Sequence, residues 1–591
     1  MAIVLRGIIL ENKSMKNGLH LHLILISTLL TSCANQIIDS NDQSTATNIN
    51  VADPIELPLK PIPIESLYDL LVGDVALSRN QFDVALHYYS GQARITGDRE
   101  IIDLAHRIAE YLSDRTVQLE MALLWVQFAP QDPKAHRAAL GAYLDTGEAA
   151  SALKHGQWLY ENEDDFDALL FIVSSTLNSQ AQRSEFLNSV LQLTFSPEKQ
   201  SSVQLLAAIL LQSDGQLEKS ENYVRDFLNS RPDDQKGILL LAQILHQRNQ
   251  GQEAIKLLKD ALQKFPKDRE LRTQYARFLA VKSPERAIAQ FELLRAEDPK
   301  DQEVNFVLGL MQFSQGRFEI AKDLLRQAST QQSLRANAQY HLGVIADRQR
   351  NISEAINHYS QVRYGRNYIV AASRLSALLA DHRSIDEARQ YLQRLRINQP
   401  NKAISLFQVE SNLLLRMRQP RQALIILSTG LENYPDDPEL LYARSMVAEQ
   451  QDNFALAESD LRSLLAQDED NATVLNALGY TMILHTDRRE EAYKLILRAY
   501  SLAPNEPSIL DSLGWALFKL GRPIEALEHL TKAFDIVSDP EIASHLGEVL
   551  WALEYNEKAM DVWLYALKQN PNHTIILETM LRLGANASVE P

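Results

Sequence analysis

A small residue recurs every 34 positions through more than half of this chain, and that period constrains the fold more than any other feature of the sequence. The series is Ser220, Ala254, Ala287, Ala321, Ala355, Ala388, Ala423, Ala457, Ala492, Ala526 and Ala559. It covers 339 residues in ten steps, none differing from 34 by more than one. Twelve positions earlier most units carry a second small residue: Ala208, Ala242, Gly309, Gly343, Ser376, Ser411, Ser445, Gly514 and Gly547. Tyr275 breaks that column, and Gly479 is displaced by one. Twelve positions later seven units carry proline: Pro232, Pro266, Pro299, Pro400, Pro435, Pro504 and Pro571. The three columns share one mechanical reading. Two antiparallel helices must approach closely at one crossing, where only Gly, Ala or Ser lets the backbones come together. Proline lacks the amide that would continue the second helix, so it ends the unit. Apolar residues between the marks keep helical spacing, as in Leu527, Leu530 and Ala533. No such unit can bury its apolar face alone, so neighbours must stack.

Period and columns together resemble the tetratricopeptide repeat, from about 203 to 572 in eleven units. The resemblance implies an all-α superhelix, a solenoid of helix-turn-helix repeats with a long concave face. Upstream, Gly73 and Ala85 keep the twelve-residue spacing, flanked by Phe82 and Tyr89, and Ala85 lies four steps before Ser220. The expected organisation is an N-terminal helical domain of degenerate repeats over 65–195, a regular array over 196–583 and a short tail over 584–591. In repeats of this type the first helix faces the concave side. Those offsets place Phe306, Phe313, Tyr340, Tyr442, Tyr480, Trp515, Phe518 and Trp551 on that face. Packing between helices does not require aromatics there, and rigid aromatic rings are what binding surfaces favour. The alternative is that curvature buries some of them against the next turn. Trp563 falls at a large core position instead.

Composition narrows the function. A chain of 591 residues exceeds the roughly 250 to 300 at which a single core stops growing. Glycine, at 21 residues, is about half its usual share of roughly 7%, which disfavours turn-rich β architectures. The formal charge of −17, with no compensating block of Lys and Arg in the sequence, argues against nucleic-acid binding. One cysteine forms no internal disulfide and supplies no Cys-rich metal site. From Met15 the chain reads as an export signal: Lys16 and Asn17, a twelve-residue mostly apolar run from Leu19 to Leu30, then Thr31-Ser32-Cys33. That run is too short to remain as a membrane span, which takes about 20 residues. Residues 1–14 read as an upstream extension, and 1–32 as the segment removed. The only cysteine, directly after small residues, resembles a bacterial lipobox. The resemblance implies an acylated Cys33 as the mature first residue, with Ala34 directing it to the outer membrane; the alternative is an ordinary signal with an unrelated Cys. From 33 to 64, Asn, Asp, Ser, Thr and four prolines read as a flexible tether.

Chemical motifs are sparse. Ser151-Ala152-Leu153-Lys154 and Ser196-Pro197-Glu198-Lys199 have the Ser-x-x-Lys spacing of penicillin-binding enzymes, but the accompanying Lys-Thr-Gly is missing. The 14 histidines include no i, i+4 pair on a helix. His529 and His545, near consecutive repeats, read as solvated or hydrogen-bonded rather than ligating. The expectation is a protein without catalytic, cofactor-binding or metal-binding residues.

Several stretches carry a closer resemblance. Near the start are Leu67-Tyr68-Asp69-Leu70-Leu71-Val72, Asn80-Gln81-Phe82-Asp83-Val84-Ala85-Leu86 and Arg107-Ile108-Ala109-Glu110-Tyr111. Towards the end come Leu475-Asn476-Ala477-Leu478-Gly479-Tyr480-Thr481, Asp511-Ser512-Leu513-Gly514-Trp515-Ala516 and the run from Asp539 to Trp551. These are similar to proteobacterial tetratricopeptide lipoproteins that partner the periplasmic carboxyl-terminal processing protease. What the resemblance implies is a non-enzymatic adaptor, lipid-anchored at the periplasmic face of the outer membrane, that activates the protease and helps deliver cell-wall hydrolases to it. The concave aromatics and the N-terminal helix with Leu67, Tyr68, Leu70 and Leu71 are the expected contacts. Two alternatives stay open: an assembly factor, such as a pilotin or polysaccharide-secretion scaffold, and an enzyme acting on peptidoglycan.

Overall fold

The computed structural model describes residues 63–176 and 180–585, which form helices and no strand. Residues 1–32, Cys33, nearly all of the tether and most of the C-terminal tail lie outside the described residues. Contacts divide the chain between Val304 and Asn305, in the first turn of the helix Gln302–Ser314. In the unit before the division, helices pair in hairpins, beginning with Ile64–Ser78 and Phe82–Thr96 and ending with Arg269–Lys282 and Pro284–Glu297. In the unit after it, the pairing continues to Pro540–Ala552 with Asn556–Gln569, and Thr574–Arg582 follows as a last single helix.

The column residues do what their size requires. Every member of the 34-residue series, from Ser220 to Ala559, is fully buried. At the paired position a Cβ on Gly514 would stand 2.5 Å from Leu530 Cγ and 3.0 Å from the Ala526 carbonyl oxygen, too close for any side chain without a shift of its neighbours. The two irregular positions have geometric causes. The helix Ala472–His485 is one residue longer than Pro507–Lys519, so Gly479 meets Ala492 thirteen residues on. The helix Arg269–Lys282 joins its partner through Ser283 alone, and the fully buried small residue is Ala276, beside Tyr275.

Helix boundaries follow local chemistry. Each column proline comes just after a second helix, and the residue before it leaves helical backbone, as Arg231 (φ −134°), Phe265 (−120°), Tyr434 (−132°) and Asn570 (−142°) do. Two residues after several of these prolines an aspartate caps the next first helix. Asp234 accepts from the Gly237 amide at 2.9 Å, Asp268 from Leu271 at 2.8 Å, Asp301 from Val304 at 2.9 Å and Asp437 from Leu440 at 3.0 Å. Each cap stabilises its helix by about 1 kcal/mol. The described residues of 65–195 also form helical hairpins: the Tyr89 ring lies against Gly73, and Ala85 is fully buried. No helix of the described residues is long and apolar enough to cross a membrane.

Candidate functional site

Two kinds of surface could engage a partner: the outer face of the N-terminal helix and the face formed by the first helices after residue 305. In the helix Ile64–Ser78 the side facing the rest of its unit carries Ser66, Gly73 and Ala76, all buried. The other side is apolar and open, with Leu67 56%, Tyr68 71% and Leu71 62% exposed. Ile64 (85%) and Val75 (41%) extend the stripe at helical spacing, although the motif reading stopped short of both. Leu70 turns inward, half-buried against the core that contains Ala76, Ala85 and Tyr89, so it belongs to packing rather than to the open face. An apolar stripe on an end helix departs from the usual polar capping of a solenoid end.

The aromatic positions fall into two groups. Phe306, Phe313 and Tyr340 are half-buried around His341, with ring centroids 6.4, 5.8 and 5.1 Å from it. Burial holds the His341 imidazole down to about 4. Arg348 covers the Phe313 ring at 4.9 Å. In the second group Tyr442, Tyr480, Phe518 and Trp551 are half-buried against the largest core cluster. Burial raises the Tyr442 hydroxyl, and Glu449 adds to the effect.

Trp515 does not line the surface. It is 5% exposed, stacked on the His545 ring at 4.0 Å and covered by the Lys519 ammonium at 4.2 Å. Curvature of the first-helix face closes over this position because His545, one repeat later, fills the space above the indole. Its Nε1 donor has no hydrogen-bond partner, an expensive omission in a buried group. Trp563 is fully buried, as its core position implies, and its indole packs where a Cβ on Gly547 would have to stand.

Around Trp515 lies a polar network that the sequence reading did not assemble. His545 Nδ1 donates to the Asp511 carboxylate at 2.9 Å, and both side chains are 9% exposed. Burial disfavours the imidazolium, but Asp511 outweighs it, with Glu541 and Glu548 adding to its pull, and the histidine is held above its ordinary value. The Tyr480 hydroxyl donates to Glu541 at 2.8 Å, across 61 residues of sequence. Burial, followed by Glu541 and Asp511, pushes that hydroxyl well above 10. Thr481 donates to Glu449 at 2.9 Å, and Arg582 donates to Glu548. A signal was available: His545 lies 34 residues after Asp511, one repeat, so the two residues occupy equivalent positions on neighbouring first helices.

The remaining candidates have structural roles. His529 packs edge-on to Tyr500 at 5.4 Å. Lys199 donates to the Tyr160 carbonyl at 2.6 Å and pairs with Asp164 at 2.9 Å, while Ser151 donates to Glu148 at 3.2 Å. Among the described residues no group of three or more His, Cys, Asp or Glu is arranged to hold a metal ion.

Comparison with known proteins places this geometry. Residues 236–278, and residues 306–369 and 409–472, match tetratricopeptide-repeat family profiles. The type IV pilus assembly protein PilF of Pseudomonas aeruginosa is 28% identical over 140 residues, which span 23% of this chain and 55% of PilF. A solved tetratricopeptide repeat protein from Parabacteroides merdae superposes with a TM-score of 0.33 at 19% identity, over 48% of this chain and 99% of its own. A TPR repeat-containing protein of Pseudomonas aeruginosa is 32% identical over 531 residues, covering 89% of this chain and 90% of that one. At that identity and coverage, this chain belongs to the tetratricopeptide-repeat proteins.

Proposed function

We propose that the chain is a non-enzymatic adaptor lipoprotein. In this reading it is held by acylated Cys33 at the periplasmic face of the outer membrane, where it tethers and activates a carboxyl-terminal processing protease and presents cell-wall hydrolases to it. Tetratricopeptide arrays are protein–protein interaction scaffolds, and large wrapped surfaces bind without chemistry. The observation that carries the reading is the open stripe of Leu67, Tyr68 and Leu71 with Ile64 and Val75, on an end helix with nothing packed over it among the described residues. The half-buried aromatics Phe306, Phe313, Tyr340, Tyr442, Tyr480, Phe518 and Trp551 offer a second contact face. The test is co-purification of parent and Leu67→Lys/Leu71→Lys chains from native membranes. The reading expects a serine protease with the parent and its loss with the variant. Recovery of neither a protease nor a wall hydrolase with the parent contradicts it.

A second reading, an assembly factor for an outer-membrane machine, draws on the 140-residue likeness to the pilus assembly protein PilF. It predicts an outer-membrane channel among the proteins recovered. An enzyme acting directly on peptidoglycan would release muropeptides from purified walls with no protein added.

A further inference from the structure

The unit after residue 305 is divided by charge. Residues 305–430 hold 17 Lys and Arg against 8 Asp and Glu, whereas 431–585 hold 12 against 26. Of those 17 cations, 15 are arginine. In stacked hairpins the turns joining first to second helices share one edge. The turns that follow the helices Gln332–Arg348, Tyr368–His382 and Ala403–Arg416 place Arg348, Arg350, Arg383, Arg416, Arg418 and Arg421 there, every one exposed. Arg383 pairs with Glu387 and Arg416 with Asp381. Among the described residues Arg350, Arg418 and Arg421 pair with no carboxylate, and Arg348 rests on the Phe313 ring.

Two of these arginines also work against the backbone. Arg350 (φ +59°) and Arg418 (φ +57°) occupy the left-handed position of the turn. Equivalent turns fill it with Asn80, Gly215, Asn249, Gly316, Asp452 or Gly521, and otherwise only Glu554 is a long side chain there. Glycine and asparagine adopt that conformation at little cost, and a long side chain does not. Local preference is therefore given up twice on one edge, each time to place an unpaired guanidinium in solvent.

The geometry points to this edge as a docking surface for the headgroups of anionic phospholipids at a membrane. The cations are guanidinium groups, whose fork matches phosphate. No exposed large apolar side chain lies within these turns to anchor a protein partner. A row repeated along neighbouring turns meets a lateral array of headgroups better than it meets one small anion. The inference goes beyond the adaptor reading and does not depend on acylation of Cys33.

The test uses the full chain carrying Cys33→Ala, so that no acyl group contributes, with phosphatidylcholine vesicles and with equimolar phosphatidylcholine and phosphatidylglycerol. Partition should favour the anionic vesicles and fall steeply as salt rises. Arg350→Asn, Arg418→Asn and Arg421→Gln together should lower it roughly a hundredfold, at about fivefold per arginine. The Tm should hold or rise, because asparagine suits the left-handed positions, so lost binding cannot be mistaken for lost folding. Equal partition to both vesicles, or undiminished binding by the triple variant, overturns the proposal. Displacement by inorganic phosphate or by polyglutamate at matched ionic strength overturns it too, and assigns the arginines to a soluble anion or to an acidic protein.

Discussion

Each unit of the molecule holds a histidine stacked on a tryptophan where two helices meet, and the two are built for opposite charge states. Before residue 304, His136 lies flat on Trp158 at 3.8 Å, and its Nδ1 is 3.1 Å from the Nδ1 of His155. The Pro130 carbonyl, 3.0 Å from His136 Nε2, can only accept a hydrogen bond, so Nε2 carries the hydrogen. His136 Nδ1 is therefore the acceptor and His155 Nδ1–H the donor, and the pair holds together only while His136 is neutral. After residue 305, His545 lies on Trp515, but its Nδ1–H donates to Asp511, which favours the imidazolium. Stacking alone thus says nothing about charge; the group at the edge of the ring decides it.

The largest expected effect is at the charged site. His545→Ala leaves the Asp511 carboxylate buried without a counter-charge and should destabilise the surrounding helices by about 3 to 5 kcal/mol. Hydrogen exchange of peptides covering 507–552 would register this as local opening; unchanged protection would mean that Asp511 reaches water. Trp515→Ala should cost a similar amount, about 3 to 5 kcal/mol. An equal loss of partner binding with no loss of stability would return Trp515 to the binding surface.

At the neutral site His155→Ala removes one donor from a buried acceptor, and about 1 to 3 kcal/mol is expected from denaturation of the chain. A loss as large as that of His545→Ala would erase the distinction between the sites.

The sharpest contrast is the response to pH. Burial, followed by His136 and Lys154, holds the His155 imidazole down to about 4. Its unfolded form takes up a proton from about 6.5 downward while the folded form does not. Its contribution is therefore complete above 6.5 and lost as pH falls towards 4. His545 is shifted the other way, so its contribution is complete below 6.5 and lost as pH rises through its raised value. Between pH 7 and 5, protection corrected for the intrinsic exchange rate should fall in 133–163 and hold or rise in the helices 507–519 and 540–552, which carry Asp511 and His545 but not His529. Parallel changes in both segments would refute the assignment of charge states.

The repeat was legible because its marks are steric: a close crossing excludes all but small residues, and a helix end tolerates proline. Those constraints act on single positions, so Ser220 to Ala559 could be found by counting. Exposure of Trp515 was not legible, since it depends on what the next repeat places above it, and His545 lies 30 residues away. Leu70 was grouped with Leu67 and Leu71 because a motif does not say which side of the helix faces the core. The arginine edge was hidden by the chain's overall charge of −17, which masks a segment of opposite sign. The aspartate caps were readable at two residues after Pro232, Pro266, Pro299 and Pro435, and form a fourth column beside the other three.

The adaptor account is tested most directly by recovering the full chain from its native membrane and identifying by mass spectrometry what comes with it. The account predicts a carboxyl-terminal processing protease together with cell-wall hydrolases, all diminished by Leu67→Lys/Leu71→Lys. An outer-membrane channel in their place, or the same proteins recovered undiminished with the variant, would contradict it.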